Sequence, residues 1–275
     1  MAWNHPKIVD LNKPYIPWIR LITIILVTIP LIVIGFSIYI ADSSIRGSLV
    51  ISDRENLWFS LFFFLVLSIS VPISNYFGLK YGDKTVFFIG SVLFFVGIPL
   101  AGTTSNYWVT MFYRSVYAVG SGAIFPTTLT IISRSFGDKK TLATNIYIAV
   151  CFGLGTPIAT LIGGYFAEFI SWQSIFFISA IPAPIVLVFT FIFFDNSKDK
   201  NVKDIDFLEI LFFLILIGCL ITGLSNVKES WTTEGFRSNM FILCCIFFVL
   251  STIGFIIRDL KAGFPLINIK LFKIS

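Results

Sequence analysis

Arg114-Ser-Val-Tyr-Ala-Val-Gly-Ser-Gly-Ala-Ile-Phe-Pro126 places one arginine inside a long apolar segment, with Ala118, Gly120, Gly122 and Pro126 following at short spacing. A guanidinium keeps its proton at every accessible pH. Burying it in lipid costs roughly 3 kcal/mol on insertion scales, so such a residue usually faces a polar cavity inside a helix bundle. The small residues after it let a neighbouring helix approach closely. The stretch therefore points to an all-helical, polytopic membrane protein with a functional interior.

Composition agrees. Of 275 residues, 56% are hydrophobic and 13% charged, with a mean hydropathy of +0.90. A soluble domain carries roughly a quarter charged residues, so this chain lacks the polar surface for water. The formal charge of +5 comes from basic residues scattered singly between apolar runs. They form no basic face, and no nucleic-acid partner is expected. Cys151, Cys219, Cys244 and Cys245 all lie in apolar segments without ligand partners and read as small packing residues. No nucleophile–base pair, metal cluster or phosphate-cradling loop is present, and His5 stands alone. Neither an enzyme nor a cofactor is expected.

A tail, Met1–Trp18, precedes the first apolar run, which is full length, so no cleaved signal peptide is expected. Eight runs are long enough to cross a core of about 30 Å. They are Leu21–Ala41, Asn56–Leu79, Thr85–Thr103, Tyr107–Ser133, Thr141–Ala167, Ile170–Phe194, Phe207–Val227 and Ser238–Ile257. With the N-terminus inside, the cytoplasmic segments hold Lys7, Lys13, Arg20, Lys80, Lys84, Arg134, Lys139, Lys140, Lys198, Lys200, Lys203, Arg258, Lys261, Lys270 and Lys273. The other side holds Arg46, Arg54, Lys228 and Arg237. That bias predicts both termini in the cytoplasm. The charged segment Asp195–Asp206 is the candidate boundary, dividing the chain into a six-helix unit (1–195), a connector (196–206) and two further helices with a lead-in to another (207–275). Its simplest reading is a solvated loop.

Asp42 and Arg46 share a face at i,i+4 spacing at the outer end of the first run. They form either an ordinary interfacial pair or part of a proton site. The second reading rests on depth, since Arg114 lies roughly two turns in from the same side. A carboxylate facing a fixed cation in a partly dry cavity has a tunable proton affinity. Glu168 reads as a cap or interface residue. Around Lys80, Gly82 and Lys84, a tight turn either clamps neighbouring helix ends through their carbonyl dipoles or simply marks the cytoplasmic side. Gly153, Gly155, Pro157, Gly163 and Gly164 allow close packing and a kink in the fifth helix. Ser171-Trp-Gln-Ser-Ile-Phe-Phe-Ile178 suits a membrane interface.

In order and spacing these stations resemble the major facilitator superfamily, most closely its fourteen-helix drug:proton antiporter branch of the EmrB/QacA type. Arg114, Gly120, Gly122 and Pro126 are similar to the signature of its fourth helix. Gly163-Gly164 resembles the end of the fifth-helix antiporter motif, and Ser171-Trp172 with Ile175–Ile178 the start of the sixth helix. Asp42-Ser-Ser-Ile45 resembles the acidic motif of the first helix, and Lys80, Gly82 and Lys84 part of the loop between helices two and three. Asp206, Trp231 and Pro265–Phe272 resemble the extra helix pair and the lead-in to a second half. Asn75 and Leu79 depart from the loop motif, Tyr117 stands where glutamine is usual, Ala159-Thr160 replaces a glycine–proline step, and Arg46 replaces an apolar residue.

The resemblance implies a six-helix half plus two linking membrane helices of a multidrug efflux transporter in a bacterial inner membrane. It would exchange amphipathic compounds for protons, with Arg114 as fixed cation, Asp42 as acid partner and the gradient in place of a cofactor. It also implies a fragment, or a form split at the gene level with a separately encoded second half, and a periplasmic adaptor where the host has two membranes. Two other readings fit the same residues: a nutrient or siderophore transporter of this fold, and a membrane scaffold or accessory subunit.

Overall fold

The computed structural model describes residues 13–196, 207–229 and 239–261. His5 and Lys7 of the tail, the connector residues 197–206, Trp231, and the stretch Gly263–Lys273 lie outside the described residues. The described residues form helices and no strands. In order these are α1 (Ile16–Ile40), α2 (Asp42–Leu49), α3 (Asp53–Tyr81), α4 (Asp83–Gly102), α5 (Tyr107–Phe136), α6 (Lys140–Phe169), α7 (Gln173–Ser179), α8 (Ala183–Phe193), α9 (Phe207–Glu229) and α10 (Asn239–Lys261).

Local chemistry sets the ends. Ser52 and Glu55 form a reciprocal capping box at the start of α3, with the Ser52 amide donating to Glu55 Oε2 at 2.8 Å. Asn106 caps α5 by accepting from the amides of Trp108 and Val109 at 3.0 and 3.3 Å. α5 and α6 meet at a 3₁₀ turn, Gly137–Lys139, entered through Gly137 at φ 50°.

The structure adds detail to two of the expected segments. The sixth run, Ile170–Phe194, is not one helix but two. It breaks at Ala180–Pro182, because Pro182 and Pro184 lack the amides that would continue the α-helical ladder. The face shared by Asp42 and Arg46 belongs to a short helix of its own. α2 covers Asp42–Leu49 and stops at Val50, whose φ of 52° is left-handed.

By length and composition, Ile16–Ile40, Glu55–Tyr81, Asp83–Gly102, Gln173–Phe193 and Asn239–Asp259 each suffice to cross a membrane; the apolar stretch Tyr107–Phe169 contains both α5 and α6, and Leu208–Gly223 is shorter. Many large apolar side chains face outward, Trp108, Leu161, Phe169 and Ile181 among them. On a protein in water this would be an aggregation hazard. Around a bundle with this composition it is the lipid-facing surface.

Contacts fix the relative directions. α1 and α6 run parallel, since Thr28 meets Tyr147 while Ser37, further along, meets Ala159 and Gly163. α3 and α5 are also parallel, with Phe59 against Arg114 and Ser70 against Gly122. α4 and α5 are antiparallel, with Gly97 at Tyr117 and Gly90 at Ala123. This is the alternation that successive membrane crossings demand. α9 and α10 pack antiparallel, Phe212 against Gly254 and Gly223 against Cys244, and α9 leans on α3.

Candidate functional site

Arg114 sits in α5, 3% exposed, at the interface with α3. Its guanidinium carbon lies 4.0 Å from the centroid of the Phe59 ring, 5.6 Å from Phe63 and 5.9 Å from Tyr117. Phe59 and Phe63 are one helical turn apart on α3, so they form a continuous aromatic wall. A desolvated guanidinium over an aromatic face gains about 2 kcal/mol, which offsets much of its burial. The ring faces cannot accept all five donors: Nε, Nη1 and the Tyr117 hydroxyl are buried without a hydrogen-bond partner. Ile34, Gly35, Ile38 and Tyr39 of α1 and Ser60, Phe63 and Phe64 of α3 enclose a cavity of about 10 Å³ beside Arg114 and Tyr117.

The structure does not bring Asp42 to Arg114. Asp42 Oδ1 accepts from Asn56 Nδ2 at 2.5 Å, and Oδ2 lies 3.5 Å from Arg46 Nε. Asn56 precedes Phe59 by three positions on α3, so Asp42 is held about one turn outside the aromatic cage. The physical reason is the break at Ala41, which starts α2 and carries Asp42 over α3 and away from α5. Among the described residues no carboxylate forms a salt bridge with Arg114. Asp42 and Arg46 do pair, as their i,i+4 spacing predicts. Glu168 is exposed at the end of α6.

The small residues separate into two groups. A Cβ on Gly120 would stand 2.5 Å from the Phe94 amide nitrogen and 2.6 Å from the Gly90 carbonyl oxygen, so α4 and α5 touch backbone to backbone there. Gly122 meets Ser70 and Leu67 of α3 with the same closeness. Pro126 lies within α5 and removes the amide that would bond to the Gly122 carbonyl. On α6, the buried residues Ala143, Tyr147, Cys151, Gly155, Ala159 and Gly163 recur every fourth position as one ridge. Gly155 abuts Ile32 and Gly163 abuts Ser37 of α1, whose Oγ donates to the Ala159 carbonyl at 2.8 Å. Gly153 and Gly164 have open space where a Cβ would stand, and Pro157 is exposed beside them. The buried Trp172 donates from Nε1 to Ser48 Oγ of α2 at 2.6 Å, and Ser44 Oγ donates to the Ala167 carbonyl at 3.1 Å.

At the opposite end lies a polar network that only partly matches the sequence reading. Lys84 Nζ donates to the Phe191 carbonyl at 2.7 Å and so clamps the last turn of α8. Lys80 turns back to the Tyr76 hydroxyl at 2.8 Å. Gly82 sits at φ 101°, and a Cβ there would run into the Asn196 side chain, which itself donates to the Tyr81 carbonyl at 3.3 Å. The sequence reading passed over Asp83, which is 4% exposed and pairs with Arg134 Nη1 at 2.5 Å. It also missed Arg20, which donates to the Phe193 carbonyl and Ser135 Oγ and pairs with Asp195 at 2.6 Å. The signal for Asp83 was available, since it lies between Gly82 and Lys84. Nothing in the sequence joined Arg20 to residues more than a hundred positions away.

With this geometry in view, comparison with known proteins identifies the class. Residues 18–274 match the Major Facilitator Superfamily, and the chain belongs to that family. It is a multi-pass membrane protein with a transporter fold. It is 24% identical to Multidrug resistance protein 3 of Bacillus subtilis, over 88% of this chain and 49% of the relative. It is 23% identical to Multidrug export protein EmrB of Haemophilus influenzae, over 85% and 45%, and 26% identical to the lincomycin resistance protein LmrB of Bacillus subtilis, over 85% and 48%. The chain thus spans about half the length of these relatives. The fold is similar to that of a peptide transporter POT solved with sulfate, at TM-score 0.65 and 14% identity over 94% of this chain and 55% of the other.

Proposed function

We propose that the chain is the N-terminal portion of a multidrug efflux transporter that exchanges amphipathic compounds for protons across a bacterial cytoplasmic membrane, with both termini inside. The observation that carries this reading is Arg114, a buried cation with unpartnered donors beside a small cavity in a transporter fold. Arg114 acts as the fixed charge of the coupling region. Asp42 serves as the acid at its outer mouth, three positions after the cavity-lining Tyr39. Residues 1–195 act as one transporter half and 207–275 as the linking membrane helices after the connector 196–206.

Alternating access needs an opposing wall, and this chain spans about half the length of its curated relatives. A second half, on the same polypeptide or encoded separately, would supply it. Gly153, Pro157 and Gly164, on the open face of α6, are the residues available to meet it. Whole-cell accumulation tests the direction of transport. Cells making the complete transporter should hold less of a lipophilic drug than control cells. Arg114→Ala should restore the drug to control levels while membrane insertion is retained. Higher accumulation in the producing cells would indicate uptake and end the efflux reading.

A further inference from the structure

The donors around the cavity outnumber the acceptors offered to them. Arg114 Nε and Nη1 and the Tyr117 hydroxyl are all buried and unpartnered. Arg114 is 3% and Tyr117 0% exposed, and both line the same cavity. No aspartate or glutamate is among the lining residues. The one acid expected there, Asp42, is occupied by Asn56 and Arg46. A planar fork of N–H groups beside a phenolic O–H is a recognition surface for a carboxylate, whose two oxygens accept charge-assisted hydrogen bonds. A cationic ligand would meet a fixed like charge in a site with little solvent to screen it.

Size and wall chemistry narrow the ligand. A cavity of about 10 Å³ admits about one water-sized group, so one carboxylate oxygen fits at its inner end but a whole molecule does not. The rest of the ligand must extend along the apolar walls of α1 and α3. At Gly35 nothing stands within 4 Å of where a Cβ would be, and Tyr39 and Phe64, stacked at 6.4 Å, are both well exposed beside it. We propose that Arg114 and Tyr117 bind the carboxylate of an apolar organic anion whose body lies against the exposed rings of Tyr39 and Phe64. This names the substrate class of the efflux site and rests on Arg114 facing the transport path.

The test is binding, not transport. The 275-residue chain in lipid nanodiscs is titrated with benzoate, benzyl alcohol and benzylammonium, and binding is followed by saturation-transfer NMR and thermal shift. Benzoate should bind most tightly of the three. Its affinity should fall about tenfold or more in Arg114→Gln and about threefold in Tyr117→Phe, as expected for losing a charged and a neutral hydrogen bond. If Arg114→Gln does not elute as a folded species, Tyr117→Phe, which removes one oxygen, decides alone. Equal benzoate affinity in the folded variants, preference for benzylammonium, or no benzoate binding to the wild-type chain would overturn the proposal. The two readings fail separately. Anion binding without drug–proton exchange removes only the efflux reading, and exchange that persists when anion binding is absent removes only this one.

Discussion

Replacing Arg114 with methionine separates two pictures of its surroundings. In the structure its guanidinium is held by rings at 4.0, 5.6 and 5.9 Å and by no carboxylate among the described residues. Removing the charge relieves an insertion penalty of roughly 3 kcal/mol. It forfeits about 2 kcal/mol at the Phe59 face and about 0.5 kcal/mol at each of the two more distant rings, roughly 3 kcal/mol in all. Methionine keeps the apolar contact with the same rings through its sulfur. The two contributions nearly cancel, so Arg114→Met should leave stability within about 1 kcal/mol of wild type. Had Arg114 been buried in a pair with Asp42, removing it would strand a carboxylate and cost about 3–5 kcal/mol. Equilibrium unfolding in mixed dodecylmaltoside–SDS micelles resolves a difference of that size. A loss of 3 kcal/mol or more would refute the aromatic-cage account.

Other perturbations probe the frame around the site. Gly120→Val should destabilise the bundle by about 1–3 kcal/mol through overpacking, because its Cβ would press on α4 backbone that cannot rotate away; thermal unfolding in nanodiscs measures this, and an unchanged midpoint would contradict the close approach. A double-mutant cycle of Asp83→Asn and Arg134→Gln should return a coupling energy of about 1–3 kcal/mol, reduced from a fully buried pair because Arg134 is 39% exposed. Additive losses would show that the pair is incidental. Ser52→Ala should cost about 1 kcal/mol by uncapping α3, and hydrogen exchange should rise only in its first turn. Faster exchange along the whole helix would be inconsistent with a local cap.

The parts of the fold legible in the sequence are those set by local chemistry. A run of about twenty apolar residues has to be a membrane helix, because lipid offers its amides no other partner. Six of the expected stretches therefore reappear as α1, α3, α4, α5, α9 and α10 within a few residues. The fifth run, Thr141–Ala167, likewise reappears inside α6. The break in the sixth run was also present in the sequence, as Pro182 and Pro184. The neighbours of Arg114 were not legible. Phe59 and Phe63 are two of 32 phenylalanines, and no local rule distinguishes ring faces that meet a guanidinium from those that meet lipid. Depth and the resemblance suggested Asp42 as the partner, but neither reveals that α2 turns the carboxylate toward Asn56. The same limit hid the partners: Arg134 for Asp83, 51 positions away, and Asp195 for Arg20. Long-range pairs depend on the packing of whole helices, which composition does not encode.

Drug-driven proton movement in proteoliposomes tests the central claim most directly. This chain, together with a second half, is reconstituted with a pH-sensitive dye inside, and an amphipathic drug gradient is imposed. The wild-type transporter should change the internal pH in a drug-dependent manner, and Arg114→Met, equally folded and inserted, should not. An identical pH response from the Arg114→Met protein would contradict the assignment of Arg114 as the charge that couples drug to proton.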